Sequence, residues 1–187
     1  SRGTKHMNEM CKKGYNWADR LSSRPLSHSD AWTSFNLQLY PGMSWGIATV
    51  VLSPQELYLV TKPVYFKCLP FLGVQRHIEL PWRTLPECYQ GIGLPNFSLI
   101  SLSAKLQLLQ CIWGFQDAAS KSLRMGYESF LMDVGLYGNV FGYRYKHFSF
   151  LATDHTWFKN LWELLQMFKV DASFGEGARL HPVREGD

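Results

Sequence analysis

From Leu99 to Trp113 the apolar residues return at intervals of three and four, as Leu99, Leu102, Leu106, Leu109 and Trp113. Ser101, Ser103, Lys105, Gln107 and Gln110 fall largely off that stripe. This is the spacing of a helix with one dry face, and such a helix is stable only when another element covers that face. The same rhythm recurs downstream. Asp117 can cap a helix whose stripe is Ala119, Leu123, Tyr127, Phe130 and Val134, and Gly135 is a natural terminator. Trp157, Leu161, Leu164 and Phe168 predict a last helix starting near Thr153 or Asp154.

Upstream the punctuation is denser. Ser53, Pro54 and Glu56 form a capping-box start, with proline at the first helical position, for a helix running to about Cys68. Pro63 is expected to kink it, and Pro70 and Gly73 to stop it. Asp30 can cap a helix through Trp32, Phe35 and Leu39 to Tyr40, ended by Pro41-Gly42-Met43. Residues 5–22 are weakly periodic through Met7, Met10, Trp17 and Leu21, with Gly14 as an interruption. Residues 44–52 carry β-branched side chains that favour a strand but lie among helical segments, and we read them as helix. Residues 74–96 look irregular, and residues 136–152 predict an ordered loop or short β excursion. The expected fold is mainly α: an irregular helical bundle with glycine- and proline-rich connectors and at most that one β excursion. Three segments are expected: a weakly ordered stretch over 1–23, one helical domain over 24–170, and a disordered tail over 171–187.

The connector "LPECYQGIGLPNFSL", residues 85–99, stands out. Gly91 and Gly93 can take backbone angles closed to other residues, Pro95 restricts what precedes it, and Asn96 or Ser98 can cap the helix that follows. Together these describe a stiff, sharp joint.

Composition narrows the function. Of 187 residues, 46% are apolar and 18% charged, enough to fill a core. Aromatics reach 15%, which suits a core of large rings or a surface that stacks on bases or on a partner. The net charge of +4 is uneven: residues 1–30 carry six basic and three acidic groups, residues 31–130 seven and five, and residues 131–187 six and seven. That mild basic bias is compatible with a polyanion but falls short of a dedicated nucleic-acid arm. Cys11, Cys68, Cys88 and Cys111 show no C-x-x-C spacing and read as free thiols in a reducing, intracellular setting. No apolar run is long enough to cross a bilayer, so no membrane partner is expected. The chain opens on Ser1, as a processed or truncated piece would.

The chemistry of known catalytic motifs is missing. The six histidines and four cysteines have no metal-ligand spacing, and we expect neither metal nor cofactor. There is no G-x-S-x-G elbow, no phosphate-binding lysine loop and no G-x-G-x-x-G, since Asn96 stands where the last glycine would fall. No Asp-Asp or Asp-x-Asp could hold a pair of metal ions. What remains are basic residues interleaved with aromatics. Lys62, Tyr65 and Lys67 lie on the Ser53-capped helix, and Arg76, His77, Trp82 and Arg83 follow. That mixture grips phosphates and stacks on bases, and it is equally the make-up of an ordinary surface whose rings point inward.

The order of the motifs carries a resemblance. "LYPGMSWG", "LSPQEL", a helix ending "CLPFLGV", an arginine (Arg76 or Arg83) and "LPECYQGIGLPNFSLISLSAKLQLLQ" follow one another. The succession over about residues 24–170 resembles the thumb and connection region downstream of the palm in reverse transcriptases of non-LTR retrotransposons. The matching residues are Ser53, Pro54, Glu56 and Leu57; Leu69 and Gly73; Gly91, Gly93 and Leu94; and Leu102, Ala104 and Lys105. The family's catalytic aspartate pair is absent, so no catalytic residue carries over, and Pro63 departs from a regular thumb helix. The resemblance implies a C-terminal fragment of an RNA-directed DNA polymerase that clamps an RNA–DNA or DNA duplex by its backbone without catalysis of its own. It implies Lys62, Lys67, Arg76, Arg83 and Lys105 as contacts, Gly91, Gly93 and Pro95 as a structural joint, and the missing fingers and palm as partners. Two rivals stand beside it. One is a non-enzymatic protein–protein interaction module with Trp157, Phe158 and Trp162 as partner surface, since Trp157 and Phe158, like Leu161 and Trp162, cannot share one core face. The other is an enzyme of unrelated type, resting on a constellation that the sequence does not reveal.

Overall fold

Ser53 and Glu56 close on each other. The Ser53 hydroxyl accepts from the Glu56 amide at 3.2 Å, and the Glu56 carboxylate accepts from the Ser53 amide at 2.8 Å. Two N–H groups that a helix start leaves orphaned are thereby satisfied. The helix that follows, α4 (Pro54–Cys68), organises the first half of the chain. It continues through Pro63, and the amide that Pro63 lacks would have met the carbonyl of exposed Leu59, so the missing bond lies on the solvent side.

The structure, a computed structural model, describes residues 2–24, 26–152 and 156–173. The chain forms two compact units, Ser1–Ser101 and Leu102–Asp187. Helices supply the regular structure, with no strand among the described residues.

In the first unit, α1 (Arg2–Ser22) packs along α4. The sequence reading made residues 1–23 weakly ordered and Gly14 a break. Instead α1 runs through Gly14 and buries Met10, Trp17, Ala18 and Leu21. Gly14 marks a close approach: a Cβ there would lie 2.5 Å from Cγ1 of buried Val64. α2 (His28–Ser34) is capped by Ser27, whose hydroxyl accepts from the Asp30 amide at 3.1 Å, so Asp30 lies inside the first turn. A π-helical turn, Phe35–Leu39, leads directly into α3 (Tyr40–Ser44). Pro41-Gly42 therefore does not end the helix. The wider turn just before Pro41 relaxes the clash of its ring with the preceding turn. Trp45 then leaves helical geometry at ψ 126°, and residues 45–49 form turns rather than the expected helix, with Ile47 bonded to the Ser44 carbonyl and Thr49 to that of Gly46. After α4 come a 3-10 turn, Leu69–Leu72, then α5 (Leu80–Thr84), a second 3-10 turn, Glu87–Tyr89, and the start of α6 (Phe97–Trp113). A chain of ring contacts links Trp17, Phe35, Tyr65 and Phe97 through this core.

The second unit takes the rest of α6, α7 (Ala118–Val134), a 3-10 turn at Val140–Gly142, α8 (Tyr145–Phe148) and α9 (Trp157–Phe168). Asp117 caps α7 by accepting from the Ser120 amide at 2.8 Å, and Gly135 ends it. The Arg124 guanidinium donates to the Trp113 carbonyl at 2.7 Å and lies over the Trp113 ring, closing the C-terminus of α6. The β excursion does not form. The Tyr127 hydroxyl holds residues 138–140 instead, donating to the Gly138 carbonyl at 2.9 Å and accepting from the Val140 amide at 3.2 Å. Thr156 caps α9 by accepting from the Lys159 amide at 3.2 Å; the predicted starts, Thr153 and Asp154, lie outside the described residues. The predicted tail lies outside them from residue 174 onward.

α9 is buried on two sides. Phe158, Leu161, Trp162, Leu164 and Leu165 all lie within the core. Phe158 meets Tyr127 and Phe130, while Trp162 meets Phe130 and Tyr145 and donates its indole N–H to the Tyr143 carbonyl at 2.9 Å.

Gly14→Ala should destabilise the first unit by about 1–3 kcal/mol, because overpacking against Val64 outweighs the roughly 1 kcal/mol that alanine adds to helix propensity. Chemical denaturation followed by circular dichroism reads the difference. An unchanged or higher midpoint would show that the helices do not meet there.

Candidate nucleic-acid interface

On α4, Lys62 and Phe66 are four residues apart, as are Pro63 and Lys67, so the four side chains share one face. α1 brings Tyr15 to that face, and the segment after α4 brings Arg76. These six residues line an open groove of about 480 Å³. The groove pairs cations with rings: Lys67 Nζ lies 5.2 Å from the Tyr15 ring centre, the Arg76 guanidinium 5.3 Å from that of Phe66, and at the margin Lys62 Nζ is 5.4 Å from that of Tyr58. Each pairing holds a charged head at the surface against a half-exposed ring. The Lys67 ammonium also pairs with the Asp19 carboxylate of α1, so one charge of the groove is partly neutralised. A larger depression of about 620 Å³, with Arg20, Arg24 and Asp30, mixes charges and has as its one ring the buried Trp17.

Of the five cations predicted as contacts, three meet here. Arg83 does something else. Its Nε donates to the Ile78 carbonyl at 2.7 Å and its Nη2 to the Arg76 carbonyl at 3.1 Å, so it staples the loop that carries Arg76. Lys105 is not exposed. It lies on α6 in the second unit, 0% exposed, with its ammonium 5.5 Å from the centre of the Trp157 ring. From that position it cannot touch a phosphate. The leucine spacing assigned Lys105 to the wet side of α6, but the buried side holds Leu102, Lys105 and Leu109, and Leu99 is exposed. Burial pushes the Lys105 ammonium down to about 8.

The connector resolves into a fold-back. The amides of Ile92, Gly93 and Leu94 donate to the carbonyls of Trp82, Leu85 and Arg83 at 2.9, 2.9 and 2.7 Å. These bonds satisfy the carbonyls left open around the end of α5. Gly91 passes so close to the turn that a Cβ would lie 1.9 Å from the Leu85 carbonyl oxygen, and Gly93 holds a φ of +72°. The Pro95 carbonyl accepts from the Tyr65 hydroxyl at 2.6 Å, and Asn96 caps α6 by accepting from the Ser98 and Leu99 amides. Tyr65, grouped with the surface cations in the sequence reading, is therefore buried, and its neighbour Phe66 is the ring at the surface.

Two residues of the groove escaped the sequence reading. Phe66 was findable as the residue four positions beyond Lys62. Tyr15 was not, because only the packing of α1 on α4 brings it there. Of the rings expected to form a partner surface, Phe158 and Trp162 are buried and Trp157 is half-buried. Among the described residues no three His, Cys, Asp or Glu side chains cluster so as to hold a metal ion, and no helix is long and apolar enough to cross a membrane. No protein-family model, curated protein or solved structure matches this chain.

In Lys105→Met the desolvation cost of charging the buried ammonium is absent, so the stability difference from wild type should depend on pH. Folded Lys105 gives up its proton near 8 and the unfolded chain near 10.5, so between those values the unfolded state binds more protons and this penalty fades as pH rises. The wild type should therefore gain stability relative to the variant across that window. Other groups titrate there too: burial raises the Cys68 thiol to about 12, which lowers stability above about 9, but equally in both proteins. A gap that stays constant with pH would show that Lys105 is not held in a desolvated site.

Proposed function

We propose that the first unit grips a nucleic-acid backbone along the groove of Lys62, Lys67 and Arg76. In this reading the chain is the thumb- and connection-like part of a retroelement RNA-directed DNA polymerase. It holds the template–primer duplex without catalysis of its own, alongside the fingers and palm of the same enzyme. The observation that carries it is the convergence of those three cations, with Tyr15 and Phe66, on one groove. The order of the Ser53-capped helix, the Gly91–Pro95 fold-back and the leucine-rich α6 supports the same reading. Arg83 contributes by holding Arg76 in place, and Lys105 has no part in contact.

Two or three neutralised phosphates predict a log–log salt slope of about −2 to −3 on a duplex. Fluorescence anisotropy of a labelled RNA–DNA hybrid should show affinity falling with that slope. The Lys62→Ala/Lys67→Ala double variant should reduce the slope by about 2 while leaving the helical circular dichroism unchanged. Asp19→Asn, which releases Lys67, should tighten binding. Absence of binding at low salt, or a double variant indistinguishable from wild type, would remove the backbone-gripping role.

A further inference from the structure

The groove is more than a row of charges. Its floor and walls include Tyr15, Pro63 and Phe66, and its exposed surface is largely apolar. Phe66 keeps 44% of its surface open although Arg76 lies over it and His77 meets it edge-on. Tyr15 and Tyr58 are open to a similar degree. A double helix keeps its bases stacked on each other and offers a shallow groove mainly sugar and phosphate, so exposed rings find few base faces there. A single strand is different. Its bases are unpaired, each has a π-face, and aromatic side chains beside a basic track are the usual means of holding it.

We infer that this groove accepts an unpaired nucleic-acid strand, with bases lodged against Phe66 and Tyr15 and phosphates on Lys62, Lys67 and Arg76. The inference rests on the backbone-gripping reading and narrows it to the single-stranded part of a template. Charge complementarity and ring exposure on the same six residues are what select this occupant. Two features oppose it: the Asp19 carboxylate occupies Lys67 in the free protein and a phosphate must displace it, and the Lys67 and Arg76 heads lie over the Tyr15 and Phe66 rings and must shift to admit bases.

The test compares three labelled ligands on the full chain by anisotropy: an oligothymidylate of about 12 nucleotides, an abasic strand of the same length, and a duplex of that length. The oligothymidylate should bind roughly tenfold more tightly than either of the others. Phe66→Leu, which keeps an apolar cover but removes the ring, should abolish that advantage and leave the salt slope unchanged. Tyr15→Leu supplies an independent variant on the opposite wall if Phe66→Leu loses its helical signal. If the abasic strand and the duplex bind as tightly as oligothymidylate, with the expected salt slope, the stacking inference is overturned and the backbone reading survives. If folded ring variants bind as wild type does, the inference is likewise overturned. If no strand binds at low salt, both fall together.

Discussion

The approach of α1 to α4 at Gly14 sets the geometry of the first unit. With no side chain at that position, the backbone of α1 comes to rest on Val64. Tyr15 follows Gly14 directly and Asp19 lies just over a turn further on, while Lys67 is three residues beyond Val64 on the facing helix. The ring, the carboxylate and the ammonium that meet at the groove are therefore placed by one helix-to-helix distance. A larger residue at position 14 would move one wall of the groove relative to the other, although position 14 does not itself line it.

Much of the fold was legible because local rules act locally. The Ser53–Glu56 box, the Asp117 cap, the Gly135 stop and the extents of α4, α6 and α7 depend on residues within a few positions of each other, and the structure has them where the sequence put them. The failures share one cause. Gly14 read as a break because a glycine in a weak pattern lowers helix propensity, while its value lies in a contact fifty residues away. Lys105 read as wet because periodicity assigns one dry stripe per helix, and the buried stripe of α6 takes in Ser101 and Lys105 beside Leu102 and Leu109. In α9, Trp157 with Phe158 and Leu161 with Trp162 promised an uncovered flank, yet α7 and the segments around Val140 and Tyr145 supply the cover. The site was half legible for the same reason: Lys62, Lys67 and Arg76 are near in sequence, whereas Tyr15 arrives by packing and Arg83 is spent on carbonyls of its own loop.

The high aromatic content has a second use beyond bulk. Long connectors carry backbone groups that no helix satisfies, and here the polar tips of buried and half-buried rings meet them. Trp32 donates to the Leu72 carbonyl, Tyr65 to that of Pro95, and Trp162 to that of Tyr143. Each ring fills the core with its body and fixes a connector with its edge. Among the described residues irregular segments are thereby held in place without sheets, and all four cysteines are free thiols.

Tyr127 carries this furthest. Its hydroxyl serves the Gly138 carbonyl and the Val140 amide at once, while its ring packs against Trp113, Phe141 and Phe158. A surface connector is ordinarily where a chain accepts insertions most readily, because lengthening it disturbs nothing inside. Between Gly138 and Val140 that freedom is gone. One extra residue would pull a hydroxyl off its partners in the middle of the core, so over evolutionary time this short stretch should not change in length.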